Sequence, residues 1–311
     1  MSEFAILTDG LMKHYSETRA VDGLHLHVPR GSLYGFLGRN GAGKTTTIRT
    51  LMGLLRPTGG SARMLDMRVP EEQIAILQRT AYLSEKKILP PSMTGEHLVR
   101  FNRPFYWTWS DALAAKCAQR LEIPMDQQFR KLSLGNRTKL CLLMALAQGA
   151  ELLILDEPTL GLDPVIMDEL LKLLIEDYAG EGRTVFLSSH RLAEVERVAD
   201  WVGIIDHGIL LLEARLDDIR AEYRRINASG NALPLSVNPQ ILSAVPSGSF
   251  CEYVVKNDAD RFVVELRSQG ATILDVSPLN LGEVFLQLVR KEEPCTSGNA
   301  GATRAALSTS T

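Results

Sequence analysis

The spacing of apolar residues changes period several times along the chain, and each change marks an element. Over 24–28 leucine and valine alternate with His25 and His27, the pattern of a half-buried strand. Pro29-Arg30-Gly31 predicts a turn, and 32–37 (SLYGFL) is a nearly unbroken apolar run, as a strand covered on both faces requires. A glycine-rich stretch follows. Residues 45–55 then take up helical spacing, which Arg56-Pro57-Thr58-Gly59-Gly60 stops.

Two further apolar runs, 151–156 (ELLILD) and 183–188 (RTVFLS), predict buried parallel strands, and the helical pattern of 163–178 lies between them. Strands alternating with helices imply an α/β sheet. Residues 86–147 are helical in pattern but broken at Pro90-Pro91, Pro104 and Pro124, which predicts an inserted helical subdomain at about 86–148. Asp206-His207-Gly208 predicts a tight turn before a short strand at 209–212, and the first domain is expected to span 1–218. Beyond it, 226–250 is rich in Asn, Ser, Gly and Pro. CEYVVK (251–256) and RFVVELR (261–267) read as strands, and 279–290 as an amphipathic helix. These predict a small α+β domain over 219–293. The last stretch, 294–311, has almost no large apolar residue and is expected to be a disordered tail.

Composition narrows the function classes. With 45% apolar and 23% charged residues the chain is an ordinary globular one, and 311 residues suit two unequal domains. The 34 basic residues stand against 37 acidic ones with no dense Lys/Arg block, so no nucleic-acid partner is expected. The most apolar stretch, 140–155, is interrupted by Gln148, Gly149 and Glu151 and falls short of the about 18 clean residues of a membrane span. The opening MSEFAILTDG lacks the features of a secretory signal, so a cytoplasmic location is expected. Cys117, Cys141, Cys251 and Cys295 are scattered, without a CxxC pair, and are expected to be reduced thiols rather than a zinc site or a disulfide framework.

The chemistry is concentrated in two short segments. Residues 38–45 read G-R-N-G-A-G-K-T, a full match to the phosphate-binding loop, which chance places in about one chain in a hundred of this length. Its glycines let backbone N–H groups of Gly38, Arg39, Asn40, Gly41, Ala42 and Gly43 curl around phosphate oxygens. The helix that begins at Lys44, Thr45 and Thr46 adds its positive dipole end. Lys44 supplies a mobile cation, and Thr45 a hydroxyl for Mg²⁺. The second segment is Leu152-Leu153-Ile154-Leu155-Asp156-Glu157-Pro158. It ends a strand on two carboxylates: Asp156 to hold Mg²⁺ and Glu157 to polarise the attacking water. Alone, an Asp-Glu pair there is more often a solvated strand end; beside the glycine loop the catalytic reading prevails.

In order and kind these motifs resemble those of the ATP-binding subunits of ABC transporters, over about residues 1–215. The resemblance implies an α/β P-loop NTPase core with a parallel sheet, an antiparallel β subdomain and an inserted helical subdomain, to which the C-terminal α+β appendage is added. It also implies the cofactors ATP and Mg²⁺. Leu132-Ser133-Leu134-Gly135-Asn136 stands at the family's LSGGQ signature, Gly161-Leu162-Asp163 at its D-loop, and Ser188-Ser189-His190 where it has a switch histidine. Tyr15 stands where an aromatic stacks on adenine. Catalytic roles fall on Glu157, His190 and Lys44. Ser133, Gly135 and Asp163 are implied to contact a nucleotide held by a second subunit, in a homodimer or a heterodimer. Bottom-up, Ser133 is equally a plain helix cap, and His190 alone has no special meaning. His14, His25, His27, His97 and His207 are read as structural or solvated.

Departures from the pattern are Leu134 for a signature glycine, Asn136 for its glutamine, and Glu85 in YLSE where the Q-loop has Gln. A carboxylate at 85 can still ligate Mg²⁺ but adds negative charge beside phosphates. Residues 101–109 (FNRPFYWTW) hold five of the 19 aromatics, as core packing of the helical subdomain or as a face that receives a membrane subunit. The terminal LNLGEVFLQL resembles the last helix of ABC-2 type exporter subunits, which favours export. The implied function is ATP hydrolysis powering transport through separately encoded integral membrane permease subunits, at the cytoplasmic face of the membrane. A soluble ABC-type ATPase with a ribosome- or DNA-associated role, and a regulatory or sensing subunit, stay open at this point. A GTPase is disfavoured because no Asn-Lys-x-Asp motif occurs.

Overall fold

The computed structural model describes residues 2–230 and 241–292. The chain enters on β1 (Phe4–Tyr15), followed by β2 (Thr18–Leu24) and β3 (His27–Pro29). The single strand expected at 24–28 is thus split. The buried Thr8 hydroxyl donates to Leu24 O and accepts from the Leu26 amide, both at 2.8 Å, and so takes the place of a backbone acceptor for that amide at the interruption, His25-Leu26. Then come β4 (Leu33–Leu37), α1 (Lys44–Leu51), β5 (Gly59–Met64) and β6 (Met67–Val69). The helix expected to reach residue 55 ends four residues earlier, because Gly53 takes a left-handed φ of 69° and turns Leu54 out to solvent.

Next follow α2 (Gln73–Arg79), β7 (Thr80–Leu83) and the helices α3 (Gly95–Asn102), α4 (Asp111–Arg120) and α5 (Leu134–Leu146). Thr94, Ser110 and Ser133 each accept a backbone N–H at the start of one of these helices, so short polar residues set all three boundaries. β8 (Leu152–Asp156), α6 (Pro164–Asp177), β9 (Thr184–Ser189), α7 (Leu192–Glu196), β10 (Trp201–Asp206) and β11 (Ile209–Arg215) complete the central region. The remainder is α8 (Leu216–Glu222), β12 (Tyr223–Ser229), β13 (Ile241–Ser247), β14 (Phe250–Lys256), α9 (Ala259–Ser268), β15 (Thr272–Pro278) and α10 (Leu281–Glu292).

Three sheets result. An antiparallel sheet runs β2-β1-β5-β6, with β3 also on β1. The central sheet runs β11-β10-β4-β9-β8-β7, parallel except for β11. Side chains of β4 and β8 alternate between two cores, as strand geometry requires. Leu33, Leu37, Leu153 and Leu155 face the helices α5 and α6, whereas Tyr34, Phe36, Leu152 and Ile154 face α1 and the antiparallel sheet. Register within the central sheet sets Asp156 opposite Ser188 and Leu37 opposite Ser189, so the glycine loop, the two carboxylates and His190 all leave it at one edge.

The third sheet, β13-β14-β12-β15, is antiparallel. CEYVVK is its strand β14, but RFVVELR is not a strand: it forms most of α9. The adjacent valines suggest a strand by propensity, yet Phe262 and Leu266, four apart, are both buried against Ile226, Tyr253 and Val255 while Val264 is exposed. That is one face of a helix, and burial against the sheet overrides propensity. α10 returns to the central region, where Leu281, Val284 and Phe285 join the same core as α7. The tail 294–311, with Cys295, and residues 231–240 of the Asn/Ser/Gly/Pro-rich stretch lie outside the described residues. Cys117, Cys141 and Cys251 are free and buried, and burial pushes the first two thiols up to about 12 and about 11.

Candidate nucleotide site

The loop between β4 and α1 is shaped by Gly41 and Gly43, at φ 84° and 110°. A Cβ on Gly43 would stand 2.3 Å from the Ala20 carbonyl oxygen, so no larger residue fits there. Lys44 opens α1 and is only 6% exposed. Its Nζ donates to Gly38 O at 2.7 Å and Arg39 O at 3.2 Å, and lies 3.5 Å from Glu157 Oε1. The ammonium is therefore held inside the loop by carbonyls and one carboxylate.

At the end of β8 Asp156 is fully buried. Its Oδ1 accepts from Ser188 Oγ at 2.6 Å and Thr45 Oγ1 at 3.3 Å, and its Oδ2 has no partner. Glu157 follows with a φ of 48°, a left-handed conformation that a non-glycine residue holds only under external constraint. The Glu157 amide donates to Ser188 O at 3.2 Å. Its Oε2 is 2.9 Å from His190 Nδ1, a hydrogen-bond distance. One carboxylate thus faces a lysine on one side and an imidazole on the other.

Lys44, Thr45, Glu157 and His190 open onto a cavity of about 600 Å³. Of the residues predicted from sequence, Arg39, Asn40, Gly41, Gly43, Lys44, Thr45, Thr46, Glu85, Glu157 and His190 line it. Gly38 lies behind the loop as an acceptor for Lys44, and Ala42 is buried with its carbonyl accepting from the Gly208 amide. Asp156 sits beneath Thr45. Tyr15 does not line the cavity: it is 44% exposed at the end of β1, with the Lys13 ammonium 5.0 Å from its ring centre.

Ser133, Gly135 and Asp163 do not line that cavity either. Ser133 Oγ accepts from the Asn136 amide at 3.2 Å. Asp163 Oδ1 accepts from the Val165 and Ile166 amides at 3.0 and 3.1 Å, and these bonds, that from Ile166 foremost, hold its carboxyl below its ordinary range. A Cβ on Gly135 would come within 2.7 Å of Gly161 O, and Thr138 Oγ1 lies 3.1 Å from both Leu134 O and Leu160 O. The helix α5 is packed directly on the segment that follows Glu157.

Sequence reasoning does not place two residues here. His207, expected to be structural or solvated, has an 84% exposed side chain and also lines the cavity, on a left-handed turn at φ 45°; the turn before Gly208 is a local signal, its proximity to the glycine loop is not. Lys87 carried no motif at all. Its Nζ donates to Ser84 O at 2.7 Å and reaches Asp156 O at 3.4 Å, and burial lowers its pKa.

A glycine loop, an Asp-Glu pair and a histidine, each at the carboxyl end of one of the adjacent strands β4, β8 and β9, define a P-loop nucleotide-binding domain. The likeness to known proteins is narrower than that. Residues 21–160 match the family model described as ABC transporter, and 125–196 also match one for an AAA domain. The chain is 32% identical to the bacitracin transport ATP-binding protein BcrA of Enterococcus faecalis, over 72% of this chain and 73% of that one. It is 37% identical to the daunorubicin/doxorubicin resistance ATP-binding protein DrrA of Streptomyces peucetius, over 70% and 67%. With the Nod factor export ATP-binding protein I of Paraburkholderia xenovorans (strain LB400) the identity is 32%, over 94% and 99%. A solved ATP-binding subunit of an ABC transporter superposes with a TM-score of 0.64 at 28% identity, over 70% of this chain and 92% of that one. This chain belongs to the family of ABC transporter ATP-binding proteins. Among the described residues no helix is long and apolar enough to cross a membrane.

Proposed function

We propose that this chain binds ATP with Mg²⁺ and hydrolyses it to drive export through separately encoded membrane subunits, working at the cytoplasmic face of the membrane. The observation that carries the hydrolytic part is the Glu157 carboxylate, 2.9 Å from His190 Nδ1 and 3.5 Å from Lys44 Nζ at the mouth of the glycine loop. Lys44 and the loop amides bind the outer phosphates. Glu157 accepts a proton from the attacking water as its oxygen bonds to the γ-phosphorus, and the bond to the β-phosphate oxygen breaks with its electrons leaving on ADP. His190 orients the Glu157 carboxylate and reaches the γ-phosphate. Export is supported by the relatives: one is named for bacitracin transport, one for daunorubicin/doxorubicin resistance and one for Nod factor export.

The residues present suit Mg²⁺. Asp156 keeps a buried oxygen without a partner, and the Thr45 hydroxyl is 3.3 Å from its other oxygen. Thr45, Asp156 and the cavity-lining Glu85 would hold the ion, which supplies charge neutralisation at the phosphate oxygens when bound. Among the described residues no group of three His, Cys, Asp or Glu side chains is placed to hold a metal, so an ion here would need the nucleotide's own oxygens.

Ser133, Gly135 and Asp163 do not line the cavity of their own chain, which supports their action on a nucleotide held by a second ATP-binding subunit. Leu134 and Val165 stand exposed beside them. The experiment is sedimentation of purified Glu157→Gln with and without Mg·ATP. A dimer that forms only with Mg·ATP is expected. A nucleotide-loaded protein that stays monomeric would refute assembly from two copies of this chain and point to a sister subunit.

A further inference from the structure

Lys87 lies between β7 and α3, on the segment that also carries Glu85, and no step above uses it. Its Nζ is 2.7 Å from Ser84 O within that segment and 3.4 Å from Asp156 O at the end of β8. The Asp156 carbonyl belongs to the peptide group that leads into Glu157. The opposite end of the same peptide, the Glu157 amide, donates to Ser188 O at 3.2 Å, and Ser188 Oγ is 3.3 Å from it. Glu157 needs such restraint, because its φ of 48° is unfavourable for a residue with a side chain. Lys44 is not available for this task, since its ammonium is taken up by Gly38 O and Arg39 O inside the loop.

We propose that Lys87 is a positioning residue for hydrolysis, its ammonium holding the Asp156–Glu157 peptide by the carbonyl while Ser188 holds it by the amide, so that the Glu157 carboxylate stays aimed at the water. The inference rests on Glu157 being the base. Lys87 thereby ties the segment between β7 and α3 to the end of β8. Misplacement of a catalytic group by about 1 Å is enough to lower turnover by about 100-fold.

The test compares Lys87→Met and Lys87→Arg in the full chain, by ATP turnover, melting temperature and amide hydrogen exchange at Glu157. Lys87→Met is expected to lower kcat at least about 10-fold with KM for ATP within about twofold, and to speed exchange at Glu157. Lys87→Arg, which keeps the charge and the donors, is expected to restore at least about half of kcat. Unchanged kcat and exchange in Lys87→Met would overturn the proposal, as would a loss confined to KM or an equal loss in the Arg variant. Wild-type turnover alongside Glu157→Gln checks the underlying reading separately. Should the wild type release no phosphate, the exchange comparison alone still decides the role of Lys87.

Discussion

His190 Nδ1 and Glu157 Oε2 stand 2.9 Å apart, although 33 residues separate them in the chain. β8 and β9 are neighbours in parallel register, with Asp156 opposite Ser188. Glu157 leaves β8 in a left-handed turn while His190 continues from β9, and the turn brings the carboxylate across to the imidazole. The pair has the geometry of a base and the group that orients it.

Glu157→Gln should therefore lower the rate of phosphate release by about 10² to 10⁴ while leaving ATP affinity within about threefold. His190→Ala should lower the rate less than Glu157→Gln does, since the carboxylate remains. Phosphate release and binding of a fluorescent ATP analogue separate the two effects.

Lys44→Ala should act on binding instead. Removing the ammonium takes the Lys44 donor from Gly38 O and leaves the loop without its cation, while Arg39 O still accepts from the Ala42 amide at 3.1 Å. The expected result is at least about a 10-fold weaker Kd for ATP, read by equilibrium titration, with a smaller change in melting temperature.

Gly135→Ala should destabilise the fold and not only a dimer. The new Cβ would meet Gly161 O at 2.7 Å, a backbone atom that cannot move aside without shifting the segment after Glu157. A loss of about 1–3 kcal/mol is expected from such overpacking, against about 1 kcal/mol for Ser133→Ala, which removes only a helix cap. Chemical denaturation of the two variants gives the comparison.

Asp163 adds a pH dependence to stability. Its folded pKa is depressed by the Ile166 and Val165 amides, so its stabilising contribution is present above its unfolded pKa of about 3.9 and is lost as pH falls through the lower folded value. Asp163→Ala should lower the melting temperature at pH 7. The gap to wild type should narrow as the pH is lowered below about 4, and Asp163→Asn should keep most of the cap.

Trp107 and Trp109, two residues apart, should behave oppositely. Trp107 is fully exposed, at 102%, near the exposed Phe101 and Phe105. Trp109 is partly buried against the helical subdomain, stacks on Tyr106 and donates from Nε1 to Asp111 at 3.0 Å. Trp107→Ala should leave the melting temperature unchanged and reduce co-purification with a membrane subunit. Trp109→Ala should lower the melting temperature by several degrees, reading about 1 kcal/mol or more of lost packing.

Much of this protein is legible from residues that are neighbours in the chain. The glycine loop, the carboxylate pair ending ELLILD and the Ser-Ser-His after RTVFLS are local patterns, because backbone conformation, strand burial and helix capping depend on a few adjacent residues. RFVVELR shows where local reading stops. Its valines favour a strand in isolation, and it became α9 because Phe262 and Leu266 meet Tyr253 and Val255 across a sheet. The aromatic run 101–109 likewise reads as one cluster, and only folding sorts Trp109 inward and Trp107 outward.

The same division runs through the site. Sequence names Lys44, Asp156, Glu157 and His190, but no spacing in the chain says that Lys87 reaches the Asp156 carbonyl or that His207 lines the cavity. Those proximities come from the parallel order β10-β4-β9-β8-β7, which sets the segment after β7 beside the end of β8 and the turn after β10 beside the loop after β4. Chemical type is a property of the residue and survives in the sequence. Distance between residues far apart in the chain is a property of how sheets and helices bury one another, and it exists only once they have done so.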